Sequence, residues 1–222
     1  MIVGSYKVVT TPTGRWRENC YLVHHLPTGD LVLVDPGDDA HLILKAIEDE
    51  GSKLKLILLT HAHHDHVGAL KAVCEKFQMH FYLHKDDVKL LNRAPIYALA
   101  FEKKIIEISK NYRLLGSEEL IWGGEYINMM NLPGHTPGGM CFHFGGIAFT
   151  GDSLLNEFIG RTDLPGADAA ALGKSVTNML STLPDDTLLF PGHGKPWTVA
   201  IATRWWKNQQ QSAREYRENS DI

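Results

Sequence analysis

Residues 60–66 read Thr-His-Ala-His-His-Asp-His, which puts His61, His63, Asp65 and His66 in one short stretch. Three imidazoles and a carboxylate at that spacing are the donors of a metal-binding loop, and chance is a poor explanation in a chain with 12 histidines among 222 residues. A helix-capping role would account for Asp65 and leave the histidines unexplained. Three further donors stand in similar settings. His135 lies in the Gly/Pro-rich turn Leu132-Pro133-Gly134-His135-Thr136-Pro137-Gly138, Asp152 ends the apolar run Ile147-Ala148-Phe149-Thr150-Gly151, and His193 follows Leu188-Leu189-Phe190-Pro191-Gly192. One such residue is ordinarily a cap or turn residue, but three in a chain that already holds the His-rich loop point to a shared site.

The elements that must position these donors follow from pattern. Lys55 to Thr60 is an apolar run of strand length, so the histidines begin at a strand's carboxyl end. Val67 to Phe77 has helical spacing, which places Asp65 and His66 at a helix N-terminus, where the dipole favours an anion. The chain divides into two similar halves, about 1–115 and 116–222, within a single domain spanning 1–222. Strands are expected at Val8–Thr10, Tyr21–Val23, Leu31–Val34, Ile57–Leu59 and Phe81–Leu83 in the first half, with helices over Ala40–Glu50 and Val67–Phe77. The second half predicts strands at Tyr126–Met130, Met140–Phe144, Ile147–Thr150 and Leu188–Phe190, and helices over Ala167–Leu180 and Ile201–Arg217. Lys85 to Leu115 reads as largely helical with a break at Pro95. Its Ile96, Tyr97, Leu99, Ala100 and Phe101 read as packing residues first and as a pocket wall second. The tryptophans of the amphipathic tail, Trp205 and Trp206, are expected to dock on the core.

Together the motifs resemble the metallo-β-lactamase superfamily, and within it the short bacterial glyoxalase II-like hydrolases (hydroxyacylglutathione hydrolases). The resemblance runs from Asn19-Cys20-Tyr21-Leu22-Val23 and Leu33-Val34-Asp35-Pro36-Gly37 through the His-rich loop, the His135 turn and Thr150-Gly151-Asp152 to Pro191-Gly192-His193-Gly194. It implies an α/β fold, the αββα four-layer sandwich, with metals in a groove at one edge between the sheets. It also implies one metal on His61, His63 and His135, another on Asp65, His66 and His193, and Asp152 as the bridge. Class B1 β-lactamases carry Arg where this chain has His66 and Cys where it has Asp152, so a β-lactamase is disfavoured. Gly160-Arg161 resembles the Gly-Lys of glyoxalase II. The aromatic residue that family uses shortly beyond is replaced by Asp163, and Gly194-Lys195 replaces its later Tyr.

Imidazole and carboxylate donors without thiolate suit two divalent metal ions, zinc first, with iron and manganese as the other metals the set can hold. Zinc lowers the pKa of bound water to about 7, giving a hydroxide nucleophile without a dedicated Ser or Cys. The expected reaction is hydrolysis of a thioester of the S-lactoylglutathione type, with Asp65 and Asp152 in catalytic positions. A lactonase or esterase is a close variant, and a mononuclear iron persulfide dioxygenase using His61, His135 and Asp152 is the alternative from the resemblance. Arg161 and Lys195 are the residues expected to grip an anionic substrate end. Asp35 is expected either to orient a ligand histidine or to end its strand in a turn. His64 is read as a bystander facing substrate or solvent.

Composition sets wider bounds. With 44% hydrophobic and 22% charged residues the chain can bury a full core, and a net charge of −4 argues against a nucleic-acid partner. The expected partner is a small thioester or ester; sequence does not reveal oligomeric state. Three separated cysteines, Cys20, Cys74 and Cys141, fit a reducing compartment. With neither a leader pattern at Met1–Lys7 nor an apolar run of membrane length, the expectation is a cytoplasmic protein without membrane association.

Overall fold

A computed structural model describes residues 1–51, 53–116 and 119–220, with the side chains of the last helix described through residue 212. Seven strands form a first sheet in chain order: β1 (Ile2–Val3), β2 (Tyr6–Thr13), β3 (Glu18–His25), β4 (Asp30–Val34), β5 (Lys53–Leu58), β6 (Phe81–His84) and β7 (Tyr112–Leu115). The first four pair antiparallel and β4 through β7 run parallel. Parallel neighbours need crossovers, supplied by α1 (Ala40–Asp49), α2 (Leu70–Phe77) and α3 (Val88–Glu102). The second sheet holds β8 (Leu120–Trp122), β9 (Glu125–Asn131), β10 (Met140–Phe144) and β11 (Ile147–Gly151). A small hairpin, β12 (Leu154–Leu155) with β13 (Phe158–Ile159), and α4 (Ala169–Thr182) follow before β14 (Leu188–Pro191), β15 (Trp197–Thr198) and α5 (Val199–Ser220). The order in the second sheet is β15-β14-β11-β10-β9-β8, with β11 and β14 parallel.

Alternation along the strands explains the stacking. On β4, Leu31 and Leu33 face the helices α1 to α3, while Val32 and Val34 face the second sheet. On β11, Ile147 and Phe149 point into the space between the sheets and Ala148 points to the outer helices. Strands buried on both faces read as continuous apolar runs, as these do. Three apolar layers result: helices on the first sheet, sheet on sheet, and the second sheet on α4 and α5. The protein is therefore the expected αββα four-layer sandwich.

Several local expectations are corrected. The helix read as starting at Val67 begins at Leu70, and Asp65 and His66 sit in a 3-10 turn, His64–His66, rather than at the N-terminus of α2. The cause is packing between loops: the Ala69 amide donates to the Pro36 and Gly37 carbonyls, pulling this segment off a helical path. Pro95 does not break α3, whose buried Leu91, Ala94 and Ala98 bind it to the first sheet on both sides of the proline. The end of the Lys85 to Leu115 segment is β7, and β1, β8, β12, β13 and β15 were not anticipated because runs of two to four residues carry little periodicity. Trp205 and Trp206 pack on the outer core, with the Trp206 indole N–H donating to Thr177 Oγ1 at 2.9 Å.

Phe149 anchors the inter-sheet layer, with ring centroids 5.2 Å from Tyr21 and 5.4 Å from Phe190. Phe149→Ala is expected to cost about 3–5 kcal/mol in chemical denaturation. A loss below about 1 kcal/mol would mean that the two sheets are not held together there.

Candidate metal centre

The donors come together because the strands that carry them end at one edge. Asp35 follows β4, the His-rich loop follows β5, Asp152 follows β11, and His193 comes two residues after β14. Parallel neighbours present their carboxyl ends on the same side, where loops from different strands converge. His135 reaches the same point from the turn between β9 and β10. The two sheets are tied there by the Met140 amide donating to the Thr60 carbonyl at 2.8 Å. Gly192 is needed for this approach, since a Cβ on it would lie 2.2 Å from Asp152 Oδ1.

Two triads result. Donor atoms of His61, His63 and His135 lie within 4.8 Å of one another, and so do those of Asp65, His66 and His193. Asp152 stands between them. Its Oδ1 is 3.6 Å from His66 Nε2, and its Oδ2 is 3.7 Å from His135 Nε2 and 3.6 Å from His193 Nε2.

The second ring nitrogens are already committed. His135 Nδ1 lies 2.9 Å from the Arg161 carbonyl and His193 Nδ1 lies 3.1 Å from the Trp16 carbonyl, and since a carbonyl only accepts, both Nδ1 atoms carry the proton. Thr60 donates its hydroxyl to Asp35 Oδ2 at 2.5 Å, so its oxygen accepts from His61 Nδ1 at 3.1 Å. His66 Nδ1 faces Asp35 Oδ2 at 3.1 Å. Four imidazoles therefore turn Nε2 toward the common point. His61, His66 and His135 Nε2 and Asp152 Oδ1 are buried with no hydrogen-bond partner among the described residues. Unpartnered buried polar atoms each cost about 1–3 kcal/mol, and a cation at that point satisfies them together. The residues fit a metal centre, and all its donors are nitrogen or oxygen: Cys20, Cys74 and Cys141 are buried in the two helix-facing layers.

Electrostatics match the geometry. Burial and the neighbouring imidazoles hold His61 well below the usual histidine range, and burial with His135 brings His63 down to about 3. Burial opposes charge on His66 and His193 as well. The carboxylates Asp152, Asp35 and Asp65 outweigh it at His66 and raise its pKa, and Asp65 with Asp152 does the same at His193. Asp65 is held below the usual carboxylate range despite burial, by the His193 hydrogen bond and by His66 and His64.

Asp35 makes both contacts that sequence left open between orientation and turn. Its Oδ1 accepts from the Thr60 amide at 2.7 Å, its Oδ2 meets His66, and its φ of 50° is the left-handed turn that ends β4. Sequence reading missed Asp87, which is fully buried and accepts from the Ala62 amide at 2.9 Å, Thr136 Oγ1 at 3.0 Å and the Gly138 amide at 2.7 Å. It locks the His61 loop to the His135 turn. Asn19, whose Nδ2 donates to the Pro191 and Gly194 carbonyls at 3.0 Å each, holds the His193 loop in the same way. Glu18 was missed too: buried, raised well above the carboxylate range by burial, and 3.8 Å from His66 Nδ1.

Above the donors lies a cleft of about 390 Å³. His64 lines it, with Nε2 2.8 Å from Glu102 Oε1. Tyr97 and Phe101 also line it, so for these two the packing reading is overturned; Ile96 and Leu99 are exposed, and Ala98 is the residue of this stretch that packs inward. Arg161 lines the cleft, but its guanidinium is engaged with Asp163, which that pairing holds at about 2. Lys195 is exposed and lies outside the lining, so the structure does not bring it to the donors.

Fold and site together define a class: a four-layer sandwich whose sheet-edge groove gathers two triads of histidine and carboxylate. The chain belongs to the metallo-beta-lactamase superfamily, whose family model matches residues 13–193. It is 34% identical over 198 residues to the hydroxyacylglutathione hydrolase GloC of Haemophilus influenzae, covering 87% of this chain and 93% of that protein. Among solved structures, TTHA1623 in a di-iron-bound form is 38% identical with a TM-score of 0.81, covering 89% of this chain and 98% of that one. BLEG-1, a B3 metallo-beta-lactamase, is 32% identical with a TM-score of 0.81, covering 87% and 95%. Among the described residues no helix is long and apolar enough to cross a membrane.

Asp35→Asn keeps the turn, because Asn tolerates positive φ, but removes the charge that orients His66 and, through Thr60, His61. Metal affinity measured by chelator competition should fall about 10- to 100-fold. Unchanged affinity in the folded variant would remove Asp35 from this role.

Proposed function

We propose that the protein is a metal-dependent thioester hydrolase, with the hydroxyacylglutathione type that the resemblance implies as the first substrate to test. The observation that carries this reading is the pair of triads joined by Asp152, with partnerless Nε2 atoms aimed at one point on the floor of a cleft. His61, His63 and His135 would hold one divalent metal, and Asp65, His66 and His193 the other, with Asp152 between them. Zinc is the first expectation, and the di-iron likeness keeps iron in view. Metal ions held there would supply Lewis acidity for the carbonyl and lower the pKa of a coordinated water to about 7.

The chain's own groups do the rest. The Arg161 and Trp16 carbonyls and the Asp35–Thr60 pair each hold a proton on Nδ1, so in the neutral ring of these four imidazoles the bare nitrogen is Nε2, the one that faces the common point. Asp65, ionised and tied to His193, is placed to accept a hydrogen bond from the attacking water and orient it. Net hydrolysis adds the oxygen of water to the acyl carbon and breaks the carbon–sulfur bond. The products are a carboxylate, a free thiol and one proton. The described residues lining the cleft include no Ser, Thr or Cys, which agrees with direct attack by water.

The test is hydrolysis of S-lactoylglutathione by metal-loaded protein, with oxygen uptake on glutathione persulfide and β-lactam turnover measured on the same preparation. Asp152→Ala should reduce thioester hydrolysis at least 10³-fold, an order of magnitude taken from the loss of a group that contacts the reacting centre, and should lower metal content. A folded Asp152→Ala protein with full activity and two metals would sink the assignment. Thiol-dependent oxygen uptake with one iron per chain would replace it by a persulfide dioxygenase.

A further inference from the structure

The cleft has one chemistry on its floor and another on its walls. The floor is imidazole and carboxylate. The walls are Trp16 from the turn between β2 and β3, Leu90, Tyr97 and Phe101 from α3, and Leu155 and Leu164 from the segment after β11. Tyr97 and Phe101, one helical turn apart, hold their rings within 10° of parallel at 6.0 Å, a stacked aromatic pair on this wall. Trp16 is 50% and Phe101 51% exposed, so apolar surface stands in water beside the donors and is covered when an apolar ligand enters.

Charge on the walls is cancelled. Arg161 is the only lysine or arginine among the lining residues, and its Nε and Nη2 each donate to Asp163 at 2.8 Å in a two-pronged pair. That geometry uses one whole edge of the guanidinium. Both side chains are more than 60% exposed, so the pair is weak enough to be broken by substitution without disturbing the fold, yet a substrate carboxylate must first displace Asp163. Arg15 and Arg17 flank Trp16, with Arg15 lying 5.7 Å over its ring, but neither lines the cleft.

We propose that, resting on the thioesterase reading above, this cleft selects neutral thioesters with an apolar or aromatic acyl group. Asp163 is the residue that sets it against anionic ends, by occupying Arg161. The wall takes the acyl group against Tyr97 and Phe101, and the neutral pair at the rim offers a carboxylate no net attraction.

Binding and turnover test this separately on the full-length, metal-loaded protein. The phenylacetyl thioesters of N-acetylcysteamine and of glutathione share an acyl group and differ in the charge of the thiol. The matching phenethyl thioethers cannot be hydrolysed and report binding by calorimetry. The neutral thioether should bind at least tenfold more tightly and the neutral thioester should show at least tenfold higher kcat/KM. Asp163→Asn should narrow both gaps to about threefold or less by lowering KM for the glutathione thioester, with kcat moving less than twofold. Phe101→Ala should cost the phenylacetyl thioester of N-acetylcysteamine at least fivefold more in kcat/KM than the acetyl thioester of the same thiol. Equal or tighter binding of the glutathione thioether, or gaps unmoved by Asp163→Asn, overturns the proposal. A glutathione preference abolished by Arg15→Ala with Arg17→Ala overturns it too and assigns recognition to the turn between β2 and β3. A neutral preference in the thioethers with no thioester hydrolysed supports the cleft assignment while sinking the thioesterase reading.

Discussion

Everything at this site depends on buried lone pairs being aimed at one point while the protein supplies them no partner of its own. Imidazole is useful to a metal only when one nitrogen is bare and the ring cannot turn away. Here four of the five donor histidines spend Nδ1 on a fixed acceptor, a carbonyl for His135 and His193 and the Asp35–Thr60 pair for His66 and His61. Among the described residues the close ionic partners of Asp65 and Asp152 are histidines rather than lysine or arginine. A cluster that raises the basicity of two buried imidazoles favours positive charge at its centre, whichever species carries it.

Holding such a cluster is costly, and the fold offsets that cost around it. Three continuous apolar layers fix the strands whose ends carry the donors, so each loop need span only a few residues from a rigid support. Cross-ties between loops then remove the remaining freedom. Asp87 joins the His61 loop to the His135 turn, Asn19 and the Tyr21 hydroxyl hold the Pro191 carbonyl beside His193, and Asp35 joins β4 to the His-rich loop. These ties are buried polar groups whose bonds are made, which is the condition under which buried polarity stiffens a structure instead of weakening it.

The donors were legible in the sequence because metal chemistry needs particular residue types and because strand ends are marked by apolar runs that stop. His61, His63, Asp65 and His66 announce themselves by spacing, and His135, Asp152 and His193 by their turn settings. Asp87 and Glu18 carried no such mark. Neither lies in a segment with donor-like spacing, and the role of each exists only once distant loops are side by side. The 3-10 turn at His64–His66 was misread for a related reason, since the amide bonds from Ala69 to Pro36 and Gly37 that displace the helix start are long-range. Pro95 shows the opposite balance. A local breaker was overruled by burial of Leu91, Ala94 and Ala98 on one face of α3.

The same helix separates what the fold needs from what the cleft displays. Its inner face is committed to the first sheet, whereas Tyr97 and Phe101 face the cleft and Ile96 and Leu99 face solvent. These outward-facing residues lie outside the apolar layers, so the fold places little demand on what they are. The likenesses agree: a hydroxyacylglutathione hydrolase and a B3 metallo-beta-lactamase each share about a third of this chain's residues, although their names describe different substrates. In the function proposed above, reaction type rests on loops locked at the sheet edges, where seven candidate donors converge. Substrate choice in that reading rests on exposed side chains such as Trp16, Phe101 and Asp163, which lie outside the apolar layers of the fold.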